Sequence, residues 1–348
     1  MPQESPHGTG LALDAASLPT LPTSTAPELS TKDAQAFAEL FAAAVRNIEQ
    51  AIQGKTSAIE LVVLSLVAQG HVLIEDRPGV GKTTLAKALA TSLQCSFGRI
   101  QFTPDLLPSD VVGVTVFERV SSTFTFRPGP VFNSVVLADE INRGSPKTQS
   151  ALLEAMAEVQ VTVDGTTHPL PHPHLVIATQ NPLEHEGTYP LPDSQLDRFL
   201  MRISMGYQGL ADELAMLEAH GRGDALANMT PVLSARKVEA MIAAANSVHV
   251  APAIKEYLVD LATVSRHHPS VWIGLSPRAT LAMLRVCRAR AAAAGRNYVI
   301  PDDVKALAEP VMAHRLLLTP EAHMQGYTAS RVVADVLSQA PIPVPTRR

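Results

Sequence analysis

A glycine-rich segment carries the clearest chemical signal in the chain. Residues 75–84 read Glu-Asp-Arg-Pro-Gly-Val-Gly-Lys-Thr-Thr, close to the pattern GxxxxGK[ST], whose backbone N–H groups wrap phosphate oxygens. Asp76 replaces the first glycine, and its charge repels a polyphosphate unless it points away or binds a neighbouring backbone N–H. Lys82 is predicted to reach the β- and γ-phosphates and Thr83 to bind Mg²⁺. The predicted nucleotide-binding residues of this segment are Asp76, Pro78, Gly79, Val80, Gly81, Lys82, Thr83 and Thr84.

Polar side chains also follow two further apolar segments. Asp139 and Glu140 end the segment 134–140; Asp139 is predicted to hold Mg²⁺ through water and Glu140 to polarise the attacking water. Two adjacent carboxylates at the end of an apolar strand are costly unless a metal or water uses them. The alternative is a solvated strand end. Asn181, at the end of the segment 173–181, either orients the lytic water or belongs to an ordinary Asn-Pro turn.

Arginines further along the chain are candidates for contacts with phosphate charge. Arg198 precedes the segment 199–205, away from its own phosphate loop, and is predicted to act on the nucleotide of a neighbouring subunit. The alternative is a local surface pair with Asp197, worth at most about 1 kcal/mol. Arg278 lies at a helix start, where the helix dipole disfavours a cation, and is predicted to reach the γ-phosphate of its own subunit. Arg143 is a third candidate.

These side chains need a scaffold that brings several strand ends together. Short apolar segments alternate with helical patterns, of which the clearest are 82–93 and 146–159. The alternation predicts an α/β fold, a P-loop αβα sandwich with a parallel sheet. The predicted strands lie at 71–76, 98–102, 134–140, 173–181 and 199–205.

Composition divides the chain into three parts. Residues 1–30 are rich in Pro, Ser, Thr and Ala, which predicts a disordered tail. Residues 31–227 carry the α/β pattern with two predicted hairpins, 111–129 and 159–170, which are either grips on a partner or structural ribs. Residues 228–348 show only helical patterns and predict an all-helical domain in which no strand is expected.

Charge and composition narrow the function classes. Lys and Arg number 28 against 33 Asp and Glu, a net charge of −5, and aromatic residues make up 4 %. Both values argue against binding to nucleic acid. No apolar run approaches the roughly 18 residues that cross a bilayer. Cys95 and Cys287 lie far apart, and the start lacks a basic and then apolar leader pattern, so we expect a cytoplasmic protein.

Longer segments resemble the MoxR-type AAA+ ATPases over about residues 40–320. The resemblance implies Walker A residues at 79–84, Walker B residues Asp139 and Glu140, sensor 1 at Asn181, an arginine finger at Arg198 and sensor 2 at Arg278. It further implies a ring, usually a hexamer, and chaperone-like work, often with a von Willebrand factor A-domain protein. The segments that carry it are RIQFTPDLLPSDVVG (99–113), LADEINRGSPKTQSALLEAM (137–156), ATQNPLEHEGTYPLPDSQLDRF (178–199), GLSPRA (274–279) and GRNYVIPDDVKALAEPVMAHR (295–315).

Together, the residues and the resemblance predict a Mg²⁺-dependent ATPase that works as a homo-oligomeric ring and remodels or matures a protein client. ATP is expected between the α/β domain and the helical lid, at a subunit boundary. The alternatives are a nucleotide-gated binding scaffold with little turnover and a nucleic-acid-stimulated motor. The catalytic residues are predicted to be Lys82, Glu140, Asn181 and Arg198, and the metal ligands Thr83 and Asp139.

Overall fold

The structure is a computed structural model that describes residues 28–182, 187–207, 209, 213–214 and 226–343. Most of the predicted tail therefore lies outside the described residues. Of its last three residues, Leu29 is buried and donates its backbone N–H to Ser247 O at 2.9 Å. Ser30 caps the first helix, its Oγ accepting from Asp33 N at 3.1 Å.

Five parallel strands form the central sheet, as the alternating pattern predicts. Their order across the sheet is β2–β5–β8–β1–β9, and every neighbouring pair is parallel. The ends of β5, β8 and β1, where most of the predicted chemical residues lie, are thus adjacent at one edge. The strands are β1 (Val72–Glu75), β2 (Phe97–Gln101), β5 (Val135–Asp139), β8 (Leu175–Gln180) and β9 (Met201–Ile203).

Both faces of this sheet are covered by apolar clusters. Successive side chains along a strand point to opposite sides, so one strand can contribute to both clusters. Along β5, Leu137 faces the helices on one side, whereas Val136 and Ala138 belong to a second apolar cluster on the other. This confirms the αβα sandwich. The helices of the α/β domain are α1 (Thr31–Glu49), α2 (Thr56–Val67), α3 (Lys82–Ser92), α4 (Pro108–Val112), α5 (Pro146–Glu158) and α6 (Asp193–Leu196).

Two antiparallel hairpins extend from the α/β domain at the predicted positions. The first joins β3 (Gly113–Glu118) to β4 (Thr123–Pro128), and the second joins β6 (Gln160–Val163) to β7 (Thr166–Pro169). The first hairpin exposes the side chains of Phe117, Val120 and Phe124.

The C-terminal part is helical, but the expectation that it holds no strand is wrong. Strands β10 (Val271–Ile273) and β11 (Leu317–Leu318) form an antiparallel pair; elements this short are too brief to show a period-2 pattern in sequence. Among the described residues, no helix has both the length and the apolar character to cross a membrane. The lid helices are α7 (Ala235–Asn246), α8 (Pro252–His267), α9 (Pro277–Ala293), α10 (Pro301–Met312), α11 (Pro320–Met324) and α12 (Ala329–Gln339).

The lid packs against α1, α2 and β9. After α10, His314 donates from Nε2 to Phe199 O at 3.2 Å, and Arg315 donates to Leu200 O at 3.1 Å. Both acceptors precede β9. The lid therefore docks at the sheet edge where the parallel strands begin, opposite to the edge where they end.

Replacing Ile177 by alanine tests the burial of the central strand. Ile177 is fully buried on β8, paired in register with Val72 and Leu137. The cavity left behind should lower the free energy of unfolding by about 2–5 kcal/mol, measured by urea denaturation. Val120→Ala, at an exposed hairpin tip, is the control and should change it by less than about 0.5 kcal/mol. Equal effects of the two variants would contradict the assigned packing.

Candidate nucleotide site

The segment 76–81 forms a loop between β1 and α3, and its glycines are required by the backbone. Gly79 and Gly81 have φ values of 85° and 94°, in the left-handed region that favours glycine. Around Gly79 the space that a side chain would take is open, whereas a Cβ on Gly81 would lie 2.8 Å from Ile52 Cδ1. Helix α3 begins at Lys82 with no acidic residue in its first turn. Its free N–H groups make this end of the loop suited to anions.

Asp76, the departure from the glycine pattern, is satisfied within the chain. Its Oδ2 accepts from Ser204 Oγ at 2.9 Å, Met205 N at 2.7 Å and Gly206 N at 2.6 Å, and Oδ1 accepts from Arg77 N at 2.9 Å. Burial raises the pKa of Asp76, but these hydrogen bonds outweigh it and hold the pKa below its ordinary value. The carboxylate thus anchors the segment 204–206, so its charge is balanced by hydrogen-bond donors rather than turned toward a phosphate.

Lys55 binds the backbone carbonyl groups of the same segment, a role that sequence reasoning missed. Its buried Nζ donates to Met205 O at 2.9 Å and Gly206 O at 2.8 Å. Asp76 therefore accepts the N–H groups of the segment 204–206 while Lys55 donates to its carbonyls. A lone lysine offers no spacing signal, because its acceptors lie 150 residues away in sequence.

Lys82 lies where the loop meets the strand carboxylates. Its Nζ donates to Asp76 O at 2.6 Å. Burial lowers the pKa of Lys82, and the charges of Asp76, Asp139 and Glu140 oppose that shift. Lys82 follows β1, and Asp139 and Glu140 stand at the end of β5 and directly after it, so all three lie at the same edge of the sheet. Thr83 and Thr84 follow it in the first turn of α3, half-buried.

Thr179 positions the two carboxylates at the end of β5. Its Oγ1 donates to Asp139 Oδ1 at 2.6 Å and accepts the Glu140 backbone N–H at 2.9 Å. The other Asp139 oxygen forms an ion pair with Arg99 at 2.7 Å. Glu140 has φ 56°, in the left-handed region, and β5 ends at the residue before it.

The Glu140 carboxylate has two side-chain partners. Its Oε2 accepts from Gln101 Nε2 at 3.0 Å and from Arg143 Nη1 at 3.1 Å. Arg143, predicted as a possible phosphate contact, therefore binds the carboxylate in this structure. Asn181 is buried directly after β8, where Gln180 O accepts Asp76 N–H at 3.2 Å. The structure thus brings Asn181 next to the loop.

Arg99, Gln101 and Thr179 were missed by sequence reasoning for one reason. Gln101 is the register partner of Asp139, and Thr179 lies on the strand on the other side of β5. Their roles follow from the order of strands in the sheet, which no local pattern contains. The alternation of Arg99 and Gln101 with buried neighbours was the one available signal.

The residues present fit a magnesium-bound nucleoside triphosphate. Left-handed glycines, a helix start and Lys82 are suited to phosphate oxygens. The Thr83 hydroxyl and the Asp139 carboxylate are oxygen donors of the kind that Mg²⁺ prefers.

The remaining predicted residues, Arg198 and Arg278, lie together at the opposite edge of the sheet. Both line a cavity of about 300 Å³ with Gly70 and His71, which precede β1. The loop 76–81 follows β1 and therefore lies at the other end of that strand. The expectation that Arg278 reaches the phosphate of its own subunit does not match this placement, because the lid that carries Arg278 docks where the strands begin. That the nucleotide lies between an α/β domain and a lid at a subunit boundary stays a prediction.

Asp197 and Arg198 do not use each other as partners in this structure. Arg198 donates from Nη1 to Leu153 O at 2.7 Å, whereas Asp197 Oδ1 accepts from Arg315 Nε at 2.7 Å. The alternative of a local Asp197–Arg198 surface pair is therefore wrong. The carboxylate is bound by the lid, and the Arg198 side chain is held over α5.

Comparison with known proteins agrees with this geometry. Residues 71–201 match the ATPase family associated with various cellular activities (AAA), and residues 263–336 match the AAA lid domain. The chain is 47 % identical to the uncharacterized protein YeaC of Bacillus subtilis, over 88 % of this chain and 95 % of that one. It is 39 % identical to the chaperone MoxR1 of Mycobacterium tuberculosis, over 86 % and 81 %.

A solved structure shows the same architecture. It comes from Cytophaga hutchinsonii, is described as a candidate ATPase, and superposes with a TM-score of 0.85 at 34 % sequence identity. The match covers 90 % of this chain and 98 % of that one.

Replacing Asp76 by glycine should weaken the site even though it restores the glycine pattern. The N–H groups of Met205 and Gly206 would lose their acceptor, and each buried donor left unpaired costs about 1–3 kcal/mol. We expect lower unfolding free energy and weaker binding of a fluorescent ATP analogue. Ser204→Ala, which removes one donor and keeps the acceptor, is the control with a smaller effect. Wild-type stability of Asp76→Gly at pH 7 would refute the anchoring role.

The contribution of Asp76 should also depend on pH in a defined direction. A carboxyl whose folded pKa is lowered stabilises the fold above its unfolded pKa, near 3.8, and that contribution disappears as pH falls through the folded value. The stability difference between wild type and Asp76→Gly should therefore be constant near neutrality and shrink below about pH 4.

Proposed function

Because the chain belongs to the MoxR-type AAA+ ATPases, we propose that it binds and hydrolyses ATP with Mg²⁺ at the loop 76–81. The observation that carries the proposal is the placement of the glycine-rich loop with Lys82 after β1, and of Asp139 and Glu140 at the end of β5, at the same edge of the sheet. A cation that binds phosphate and a carboxylate that takes a proton from water are two of the groups that hydrolysis needs.

Each side chain has a distinct role in this proposal. The backbone N–H groups of 79–84 and Lys82 hold the β- and γ-phosphates, with Lys82 leaving its contact to Asp76 O for the phosphate. Thr83 and Asp139 hold Mg²⁺, which when bound neutralises phosphate charge. Glu140, oriented by Gln101 and Arg143, accepts a proton from the attacking water, which Asn181 helps to orient.

We propose further that the nucleotide site is completed by a neighbouring subunit. Arg198 and Arg278 line one cavity at the edge remote from their own loop, so two arginines are available to a second copy. An arginine supplied across an interface is worth about 10³–10⁵ in rate. The assembly we propose is a homo-oligomeric ring, a hexamer as the resemblance to the MoxR-type family implies. In this ring both arginines act on the nucleotide of the adjacent subunit.

The proposed work of the ring is remodelling or maturation of a protein client in the cytoplasm, together with a von Willebrand factor A-domain protein. Support comes from the relative MoxR1, whose name describes it as a chaperone. The exposed Phe117, Val120 and Phe124 of the first hairpin offer an apolar contact surface. A binding scaffold with little turnover, or a nucleic-acid-stimulated motor, would share the site but differ in turnover or in response to single strands.

Glu140→Gln should separate binding from hydrolysis. The amide keeps the hydrogen-bonding shape but takes no proton from water, so phosphate release should fall about 10²–10⁴-fold while binding of ATP is retained. Glu239→Gln, an exposed change on α7, removes the same charge and should leave the rate unchanged. Full hydrolysis by Glu140→Gln would overturn its assigned role, and absent turnover in wild type would favour the scaffold.

Mixing variants tests whether Arg198 acts across an interface. Arg198→Ala should hydrolyse ATP about 10³-fold more slowly. Mixed with Glu140→Gln, it should regain activity, because one subunit supplies the intact nucleotide site and the other the intact arginine. Light scattering with and without ATP should show an oligomer. A monomer under every nucleotide condition would contradict the ring.

A further inference from the structure

One buried arginine of the lid holds the backbone around Arg198. Arg315, whose side chain is 3 % exposed, donates from Nε to Asp197 Oδ1 at 2.7 Å. Its Nη2 donates to Phe199 O at 2.6 Å and to Asp197 O at 3.5 Å, and its Nη1 donates to Leu200 O at 3.1 Å and to Val311 O. These contacts engage all the N–H donors of a guanidinium. Arg315 thus grips the chain on both sides of Arg198 and has no donor left for a phosphate.

Asp197 connects the hydrogen bonds of Arg315 to the helix that carries Arg278. Its Oδ2 accepts from Ser276 Oγ at 3.3 Å, while its Oδ1 accepts from Arg315. Ser276 is the N-cap of α9, with Oγ also accepting from Ala279 N at 3.2 Å, and Arg278 lies in the first turn of that helix. One carboxylate therefore ties the chain at Arg198 to the helix start that carries Arg278.

Asp197 balances the positive charge around the cavity. Among the described residues that line it, Asp197 is the only acidic one. The cations repel one another: burial and the charges of Arg278 and Arg285 lower the pKa of Arg315, and Asp197 opposes them. Without Asp197, nothing acidic in the lining would hold the cations together. The arginines that line the cavity are Arg198, Arg278, Arg285 and Arg315.

We propose that Arg315, through Asp197, is a positioning residue that couples Arg198 to the lid that carries Arg278, so that movement of the lid reorients both arginines together toward the neighbouring nucleotide. The inference rests on the proposed function in trans of these arginines. Arg315 itself touches neither nucleotide, since it is buried and its donors are all used. The nucleotide site of the subunit that carries Arg315 is left intact by its substitution.

Arg315→Lys is the direct test, because lysine keeps the charge but lacks the planar fork that binds several carbonyls at once. ATP binding should stay within about twofold of wild type, whereas hydrolysis should fall about 10²-fold, the scale of a catalytic group displaced by about 1 Å. Asp197→Asn, which removes the charge and keeps the shape, should behave in the same way. If Arg315→Lys does not fold, the hydrolysis rate of Asp197→Asn tests the positioning role instead.

A matched control lies elsewhere in the lid. Arg296 donates to Asp303 at 2.8 and 2.6 Å in a similar paired geometry, but it does not contact the segment 197–200. Arg296→Lys removes a comparable fork from the lid alone. Its hydrolysis rate should stay near wild type in the assembled protein.

Mixing with Glu140→Gln separates positioning from a general structural defect. Activity of Arg315→Lys should be restored by Glu140→Gln subunits, as expected for Arg198→Ala, since both lesions lie in the donated arginines. Wild-type hydrolysis by Arg315→Lys and Asp197→Asn would overturn the inference. The inference would also be overturned if Glu140→Gln rescued Arg198→Ala but neither Arg315→Lys nor Asp197→Asn. That outcome would leave the proposed function intact. If Arg198→Ala is itself neither slow nor rescued, the function in trans is wrong and the inference is overturned with it.

Discussion

Parallel pairing of β1 with β8 on one side and β9 on the other is the constraint on which the rest of the structure depends. Because all three strands run in the same direction, the loop that follows β1 and the residue that precedes β9 lie at opposite edges. The phosphate loop and Arg198 are therefore kept apart within one chain by backbone hydrogen bonds. The proposed site needs both groups, which is why we propose that a second copy completes it.

Each edge is stabilised by a carboxylate that is paired inside the chain. Asp76 accepts the N–H groups of the segment 204–206 beside the loop, and Asp197 accepts from Arg315 and Ser276 at the other edge. Asp76 binds the chain that follows β9, and Asp197 itself lies in the chain that precedes it. That short strand therefore joins the two halves of the proposed site, and the lid reaches it through Arg315.

Local patterns predicted much of the fold and part of the site. The five strands, the two hairpins and α3 follow from apolar runs, turn residues and the glycine-rich loop, because each of these signals lies within a few neighbouring residues. The pair β10–β11 escaped because its strands are too short to show alternation. Thr179 and Gln101 escaped because their partners are some 40 residues away and become neighbours only through sheet order.

The sequence by itself determined the chemistry: a loop that favours phosphate at 79–84, a carboxylate pair at 139–140, and arginines at 198 and 278. These are properties of residue types and their nearest neighbours, so no fold is needed to identify them. Only the tertiary structure decided where each group faces. The Asp76 carboxylate binds backbone N–H groups, the Asp197 carboxylate binds the lid, and Arg278 lies at the edge remote from its own loop. The reason is that a buried charge needs partners, and these partners are distant in sequence.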